Sequence, residues 1–195
     1  MAYSVEQLLN IIYNEKRLPP DFNQWDLKIG VNGNTIAHLA IEWYNCLPPD
    51  FDRWYLRNKN GQTVAHAAAR HGKLPPNFDR WYLRNKDGWT VAHKYVTDNY
   101  LPPDFNQWEM ADDSGWTVAH QAVIYNRLPS NFNQWNLADE YGRSVAHIAA
   151  EHGYLPPNFN QWDLVDKYGK TVAQVAYTHK HLPPNFNRWD LIKKN

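Results

Sequence analysis

Apolar positions follow a helical period in this chain only in short bursts. In "TVAHAAARHG", Thr63 to Gly72, the residues Val64, Ala65, Ala68 and Ala69 share one helical face. Thr63 precedes that burst as an N-cap, and a cap of the same kind stands at Thr35, Thr90, Thr117, Ser144 and Thr171. Each burst predicts one short helix, with side chains small enough for a neighbouring helix to come close. Asn45, Gly72, Asn99, Asn126 and Gly153 stand where a left-handed residue closes a helix, and only Lys180 departs from that column. A Leu-Pro-Pro element follows. The residue before Pro avoids the α region, and Pro then suits the first turn of a second, very short helix. Phe and Trp, three residues apart, point the same way from that stub. Ahead of the caps from Thr63 to Thr171, Asn or Asp followed three residues later by Gly predicts a tight turn. The predicted unit is turn, helix, turn, helical stub.

The unit recurs at a fixed stride, which signals a repeat array. Its Leu falls at 18, 47, 74, 101, 128, 155 and 182, one step of 29 residues followed by five of 27. All seven Phe lie four residues after that Leu, and seven of the ten Trp lie three further on. All thirteen Pro belong to the same element, where Ser130 is the one departure from Pro-Pro. "LPPDFDRWYLRNKNG" and "LPPNFDRWYLRNKDG" differ only by Asp/Asn exchange, which points to duplication within the chain.

One unit cannot fold alone. Burying a large apolar side chain contributes roughly 1.5–3 kcal/mol, whereas each ordered residue costs over about 1 kcal/mol. Stacking of successive units closes that gap. The expected organisation is a single repeat domain over 1–195. Residues 1–17 form an N-terminal capping helix, 18–181 six repeats, and 182–195 a half-repeat cap. The first cap carries an "SVEQ" capping box, with Leu8, Leu9, Ile12 and Tyr13 to cover the first repeat.

Composition narrows the function. Lys+Arg and Asp+Glu are both 20, so no net field recruits nucleic acid or an anionic membrane. The lone Cys46 excludes an intrachain disulfide and a Cys-based zinc ribbon. No leader-like start and no apolar run of spanning length are visible. The expectation is a cytoplasmic chain, monomeric and free of cofactors, with export lacking a cleaved leader left open.

The order D/N-x-x-G-x-T-x-x-H-x-A-A-x-x-G, seen in "NKNGQTVAHAAARHG" and "DEYGRSVAHIAAEHG", resembles the ankyrin repeat. The likeness covers almost the whole chain in six units. The usual unit has 33 residues and Pro-Leu before the His, whereas this one has 27 and Val-Ala. The resemblance implies an all-α, ankyrin-like helical repeat solenoid of short helix-turn-helix units, capped at both ends. It implies a protein-binding scaffold without catalysis. It also implies that His38, His66, His93, His120 and His147 tie helix starts to adjacent turns, with Gln174 in the same role.

Zinc chemistry does not fit that histidine column. Neighbouring helices pack roughly 8–10 Å apart, while zinc needs each nitrogen at about 2.1 Å. His71, His152, His179 and His181 fall outside the column and are read as surface residues. Asp112-Asp113 and Asp139-Glu140 could be an acid and a base, but they occupy turn positions and are read as solvated. No GxSxG, phosphate loop or Cys/His nucleophile pair is present. Cys46 reads as an ordinary thiol.

Three Trp escape the core column. Trp43 is expected to pack on the N-terminal cap. Trp89 and Trp116 follow the turn Gly, where other repeats carry Asn34, Gln62, Arg143 and Lys170. A column tolerating such residues is expected to be exposed, and exposed Trp marks contact sites. Arg57, Lys59, Arg84 and Lys86 make the turns of repeats two and three basic. Asp112, Asp113, Asp139 and Glu140 make those of four and five acidic, and Lys94 and Gln121 follow the His. The expectation is a partner-binding surface, basic at one end and acidic at the other, that orients a protein of opposite polarity. Action as an inhibitor or host-directed effector of microbial or phage origin is an alternative by analogy of fold. Nucleic-acid binding through the basic turns is the alternative of another class, against which the acidic turns and zero net charge argue.

Overall fold

The computed structural model describes residues 3–44, 46–99 and 101–192. The chain forms two compact units, Met1–Asn99 and Tyr100–Asn195. The first holds α1 (Val5–Glu15), the two-residue strands β1 (Lys28–Ile29) and β2 (Asn34–Thr35), α2 (Ile36–Leu39), α3 (Val64–Arg70) and α4 (Val91–Asp98). The second holds α5 (Val118–Ile124), α6 (Val145–His152), α7 (Val172–Thr178) and a 3-10 turn at Trp189–Leu191. Within the first unit α3 packs on α2 and α4; within the second, α6 packs on α5 and α7. The class is the all-α repeat solenoid that the sequence predicts.

The helical stub is a correction. Leu-Pro-Pro leads instead into two successive turns. The Phe N–H donates to the first Pro carbonyl (Phe51 to Pro48, 3.0 Å), and Leu56 N–H donates to the Arg53 carbonyl at 3.2 Å. The reason lies in the next helix, whose first N–H groups lack intrahelical acceptors. Val64 N–H donates to the Leu56 carbonyl (3.0 Å) and Ala65 N–H to the Trp54 carbonyl (3.2 Å). His66 N–H donates to Thr63 Oγ1 at 3.3 Å. A helix through Trp54 and Leu56 would keep those carbonyls for itself.

The same turns aim the rings inward. In the first unit Phe22, Trp25, Phe51, Trp54, Phe78 and Trp81 follow edge to face, with centroids 4.8–5.7 Å apart. Phe105 to Trp189 repeat the pattern in the second unit at 5.0–5.7 Å. Such pairs add about 0.5–1.5 kcal/mol each beyond burial. Every Phe is buried, Trp135 is half-buried, and Trp189 is 50% exposed where the ladder ends.

The two extra residues of the 29-residue first step lie in two places. Leu27 to Thr35 spans 8 residues where Leu56 to Thr63 spans 7, in the β1–β2 turn. Thr35 to Leu47 spans 12 where Thr63 to Leu74 spans 11, and Ala40–Tyr44 winds as a π-turn that takes up that second residue. Trp43, expected to pack on the cap, is 48% exposed. It stands eight residues after Thr35, a position also exposed at His71, Asp98, Tyr125, His152 and His179. Tyr13 is exposed as well, flanking the stripe that Leu8 and Ile12 bury.

Helix ends follow the sequence in part. Gly72, Asn126 and Gly153 are left-handed, and so is Lys180, with φ 62°. Asn99 is extended instead, φ −133°, and its side-chain amide reaches the Ala69 carbonyl at 3.4 Å. Asn45 lies outside the described residues.

Candidate functional site

The histidine column is internal. Nε2 of His38, His66, His120 and His147 lies 3.0 Å from the carbonyl of Gln62, Trp89, Arg143 and Lys170, each in the following repeat. A carbonyl only accepts, so Nε2 carries the proton. Nδ1 then accepts from the capping hydroxyl at 2.7–2.8 Å. Burial holds all four below the ordinary imidazole range, His66 at about 4. These rings are neutral struts. Gln174 keeps the local half of the bond set, accepting the Thr171 N–H at 3.0 Å.

Each turn is organised by its first residue. Asn58 Oδ1 accepts from Asn60 and Gln62 N–H, both at 3.0 Å. Asp112 does the same for Ser114 and Trp116, at 2.9 Å. Successive turns are zipped by Lys59 N–H to the Asn32 carbonyl (3.0 Å) and Lys167 N–H to the Tyr141 carbonyl (3.0 Å). Gly142, at φ 72°, allows that approach: a Cβ there would meet Lys167 N at 2.9 Å.

Two of the expected partner-binding residues are corrected. Asp139 is buried, not solvated. Its carboxylate accepts from Tyr141 and Arg143 N–H at 2.9 Å and pairs with the Arg143 guanidinium at 2.8 Å. Gln121 is buried too, accepting the Trp116 indole N–H at 2.9 Å. Asp112 is half-buried and spends one oxygen on its own turn. Asp113 and Glu140 are exposed, as are Arg57, Lys59, Arg84 and Lys86. Lys94 is half-buried, 3.8 Å from the Asp98 carboxylate.

Trp89 and Trp116 are half-buried rather than open to solvent. In the first unit the Trp89 ring lies against His93, centroids 5.8 Å apart. In the second, Trp116 leans on His120 at 4.9 Å, and the Arg143 guanidinium lies 5.7 Å from the Trp116 ring and 5.5 Å from that of Tyr141. What the fold uses at this column is the backbone. The Trp89 N–H donates to Asn85 and its carbonyl accepts from His66 and Asn85, so the side chain is left to vary.

The grouping of Trp116, Arg143 and Tyr141 escapes sequence reasoning. Tyr141 and Tyr168 hold the same turn-tip position one repeat apart, and both are exposed. Glu140 beside it accepts a hydrogen bond from Tyr141 and raises its phenol pKa. That tip position is Asn60, Asp87 and Ser114 elsewhere, a contrast present in the alignment of repeats. In the first unit a polar recess of about 360 Å³ opens between turns and first helices, lined by Asn34, Glu42, Asn58, Gln62 and Arg70.

Cys46 is half-buried, donates to the Ala40 carbonyl at 3.5 Å, and has its thiol pKa pushed up by burial. His181 bonds to the Ala150 carbonyl at 3.0 Å. Among the described residues no three His, Cys, Asp or Glu are placed to hold a metal ion, and no helix is long and apolar enough to cross a membrane.

The sequence matches no protein-family model and none of the curated proteins. The fold does find matches, 301 chains among solved structures. One is the ankyrin repeat domain of Bcl-3, described as a unique member of the IκB protein family. It is 22% identical with a TM-score of 0.56, over 88% of this chain and 87% of that one. The chain therefore has the ankyrin-repeat fold, built here from shortened, Trp-rich units.

Proposed function

We propose that this ankyrin-fold chain is a non-catalytic scaffold that binds another protein through its turn tips and first helices. One observation carries the reading. Trp89 and Trp116 occupy a column where the fold needs only main-chain N–H and C=O, so neither indole is required for stacking. Half-buried Trp braced by His93, or by His120 and Gln121, suits an interface anchor, because such contacts leave less side-chain freedom to lose on binding. Basic tips (Lys59, Lys86) in the first unit and acidic ones (Asp113, Glu140) in the second give each unit its own polarity. Binding by occupation requires no reacting group, which fits a cytoplasmic inhibitor or host-directed effector as the finer reading.

The test uses residues that the chain itself places at this column. Trp89→Gln with Trp116→Arg is expected to abolish capture of the partner from the native host while the melting temperature moves by no more than a few degrees. Capture at wild-type level overturns the proposal. A gel shift with single-stranded oligonucleotide that weakens steeply with salt supports the nucleic-acid alternative instead.

A further inference from the structure

Repeats two and three of the first unit carry the same seven residues, "RWYLRNK", at Arg53–Lys59 and Arg80–Lys86. Trp54 and Trp81 are buried and Leu56 and Leu83 half-buried, so the intervening Arg, Tyr and Arg face outward. Tyr55 and Tyr82 are 53% and 58% exposed. The fold does not ask for Tyr here: the same position is Asp26, Glu109, Asn136, Asp163 and Asp190 in other repeats. Nor does it ask for the leading Arg, replaced by Gln24, Gln107, Gln134 and Gln161. Two adjacent repeats thus share an arginine–tyrosine face that stacking leaves unexplained.

That face is held ready. Arg80 Nη1 reaches back one repeat to the Asp52 carbonyl at 2.6 Å, and Arg53 Nη1 lies 3.4 Å from that of Asn23. Arg57 donates to the carbonyls of Gly61 and Arg84, and Arg84 to that of Gly88 at 3.0 Å. A guanidinium has five N–H groups, so Arg53, Arg57 and Arg80 each keep donors for a ligand. Among the described residues Arg53, Arg57 and Arg80 pair with no carboxylate. A cavity of about 540 Å³ adjoins Arg53, walled by Leu18, Pro19, Leu47 and Pro48.

We propose that this face binds an extended, acidic, proline-containing peptide, with one ligand turn per repeat. Tyr55 and Tyr82 follow Trp54 and Trp81, which are separated by at most two ring steps, Trp54 to Phe78 (5.7 Å) and Phe78 to Trp81 (5.1 Å). A polyproline II helix, advancing about 9.3 Å per three-residue turn, fits within that span. Residues i and i+3 of such a ligand therefore meet Tyr55 and Tyr82 in turn, and carboxylates at the same spacing meet the arginines. Aromatic platforms with proline are an established pairing in peptide recognition. Asp52 and Asp79, each beside an arginine, disfavour a strand with a phosphate at every nucleotide and tolerate one carboxylate per three residues. The inference rests on the protein-binding reading only in making the ligand a polypeptide; the surface is separate from the Trp column.

The experiment is fluorescence anisotropy of labelled (Glu-Pro-Pro)4 with the full chain. A block peptide of equal composition, (Lys-Pro-Pro)4 and a dT12 oligonucleotide serve as comparisons. The expected result is binding of (Glu-Pro-Pro)4 at least tenfold tighter than each. Either Tyr55→Asn with Tyr82→Asn or Arg53→Gln with Arg80→Gln should weaken it tenfold or more. Those side chains occupy the same columns elsewhere, so both variants should melt like the wild type. Failure to bind, equal binding of the block peptide, tighter binding of dT12, or variants of unchanged affinity overturns the proposal. If the Trp89 and Trp116 substitutions still abolish partner capture in that event, the protein-binding reading stands without it.

Discussion

The His66 imidazole is committed on both sides. Its Nε2 donates to the Trp89 carbonyl, 3.0 Å away in the next repeat, and its Nδ1 accepts from the Thr63 hydroxyl at 2.7 Å. A second ring proton has no place to go. The folded pKa is lowered from 6.5 to about 4, so the unfolded chain binds more protons between those values. Stability is full above pH 6.5, falls as the pH drops, and stops falling near 4, by about 3 kcal/mol from this residue. His38, His120 and His147 act in the same direction. Denaturant melts from pH 7 to 4 should show the loss, and His66→Gln should flatten the slope.

The cap beneath that imidazole is testable alone. Thr63 Oγ1 serves both the helix N–H of His66 and the ring Nδ1. Thr63→Ala should cost about 1–2 kcal/mol, while Thr63→Ser should cost a few tenths, since Ser144 holds the same bonds in its own repeat. Chemical denaturation measures both.

The aromatic ladder predicts a contrast between its rungs. Trp54 is 9% exposed and touches Phe51 and Phe78, whereas Trp189 is 50% exposed and, among the described residues, meets one ring, Phe186. Trp54→Ala should lose about 3–5 kcal/mol. Trp189→Ala should lose about 1 kcal/mol or less. Equal losses would mean that the rings do not stack as described.

Asp139 should be worth far more to folding than its exposed neighbour. It holds two turn N–H groups and the Arg143 guanidinium, so Asp139→Ala should cost about 2–4 kcal/mol. Glu140→Ala should change stability by less than about 0.5 kcal/mol, as thermal melts will show.

Why the array was readable and its surface less so follows from these residues. Thr63, His66, Gly142 and Phe51 each perform one backbone or packing task that recurs at the stride, so position alone identifies them. The second helix is not legible because Pro-Phe-Trp spacing is compatible with a helix or with two turns. The choice between them depends on the carbonyls of Trp54 and Leu56 being drawn to the start of the next helix. Asn99 closes no left-handed cap, and its side-chain amide serves Ala69. The candidate surface is set by pairs in variable columns: Arg143 decides that Asp139 is buried, and Gln121 decides how Trp116 lies. No single-column pattern carries that information.

Radical footprinting of the chain with its captured partner, read by mass spectrometry, tests the binding account most directly. The account predicts that oxidation of Trp89 and Trp116 slows severalfold in the complex while the buried Trp25, Trp54 and Trp162 are unchanged. Equal oxidation of Trp89 and Trp116 with and without the partner would contradict it.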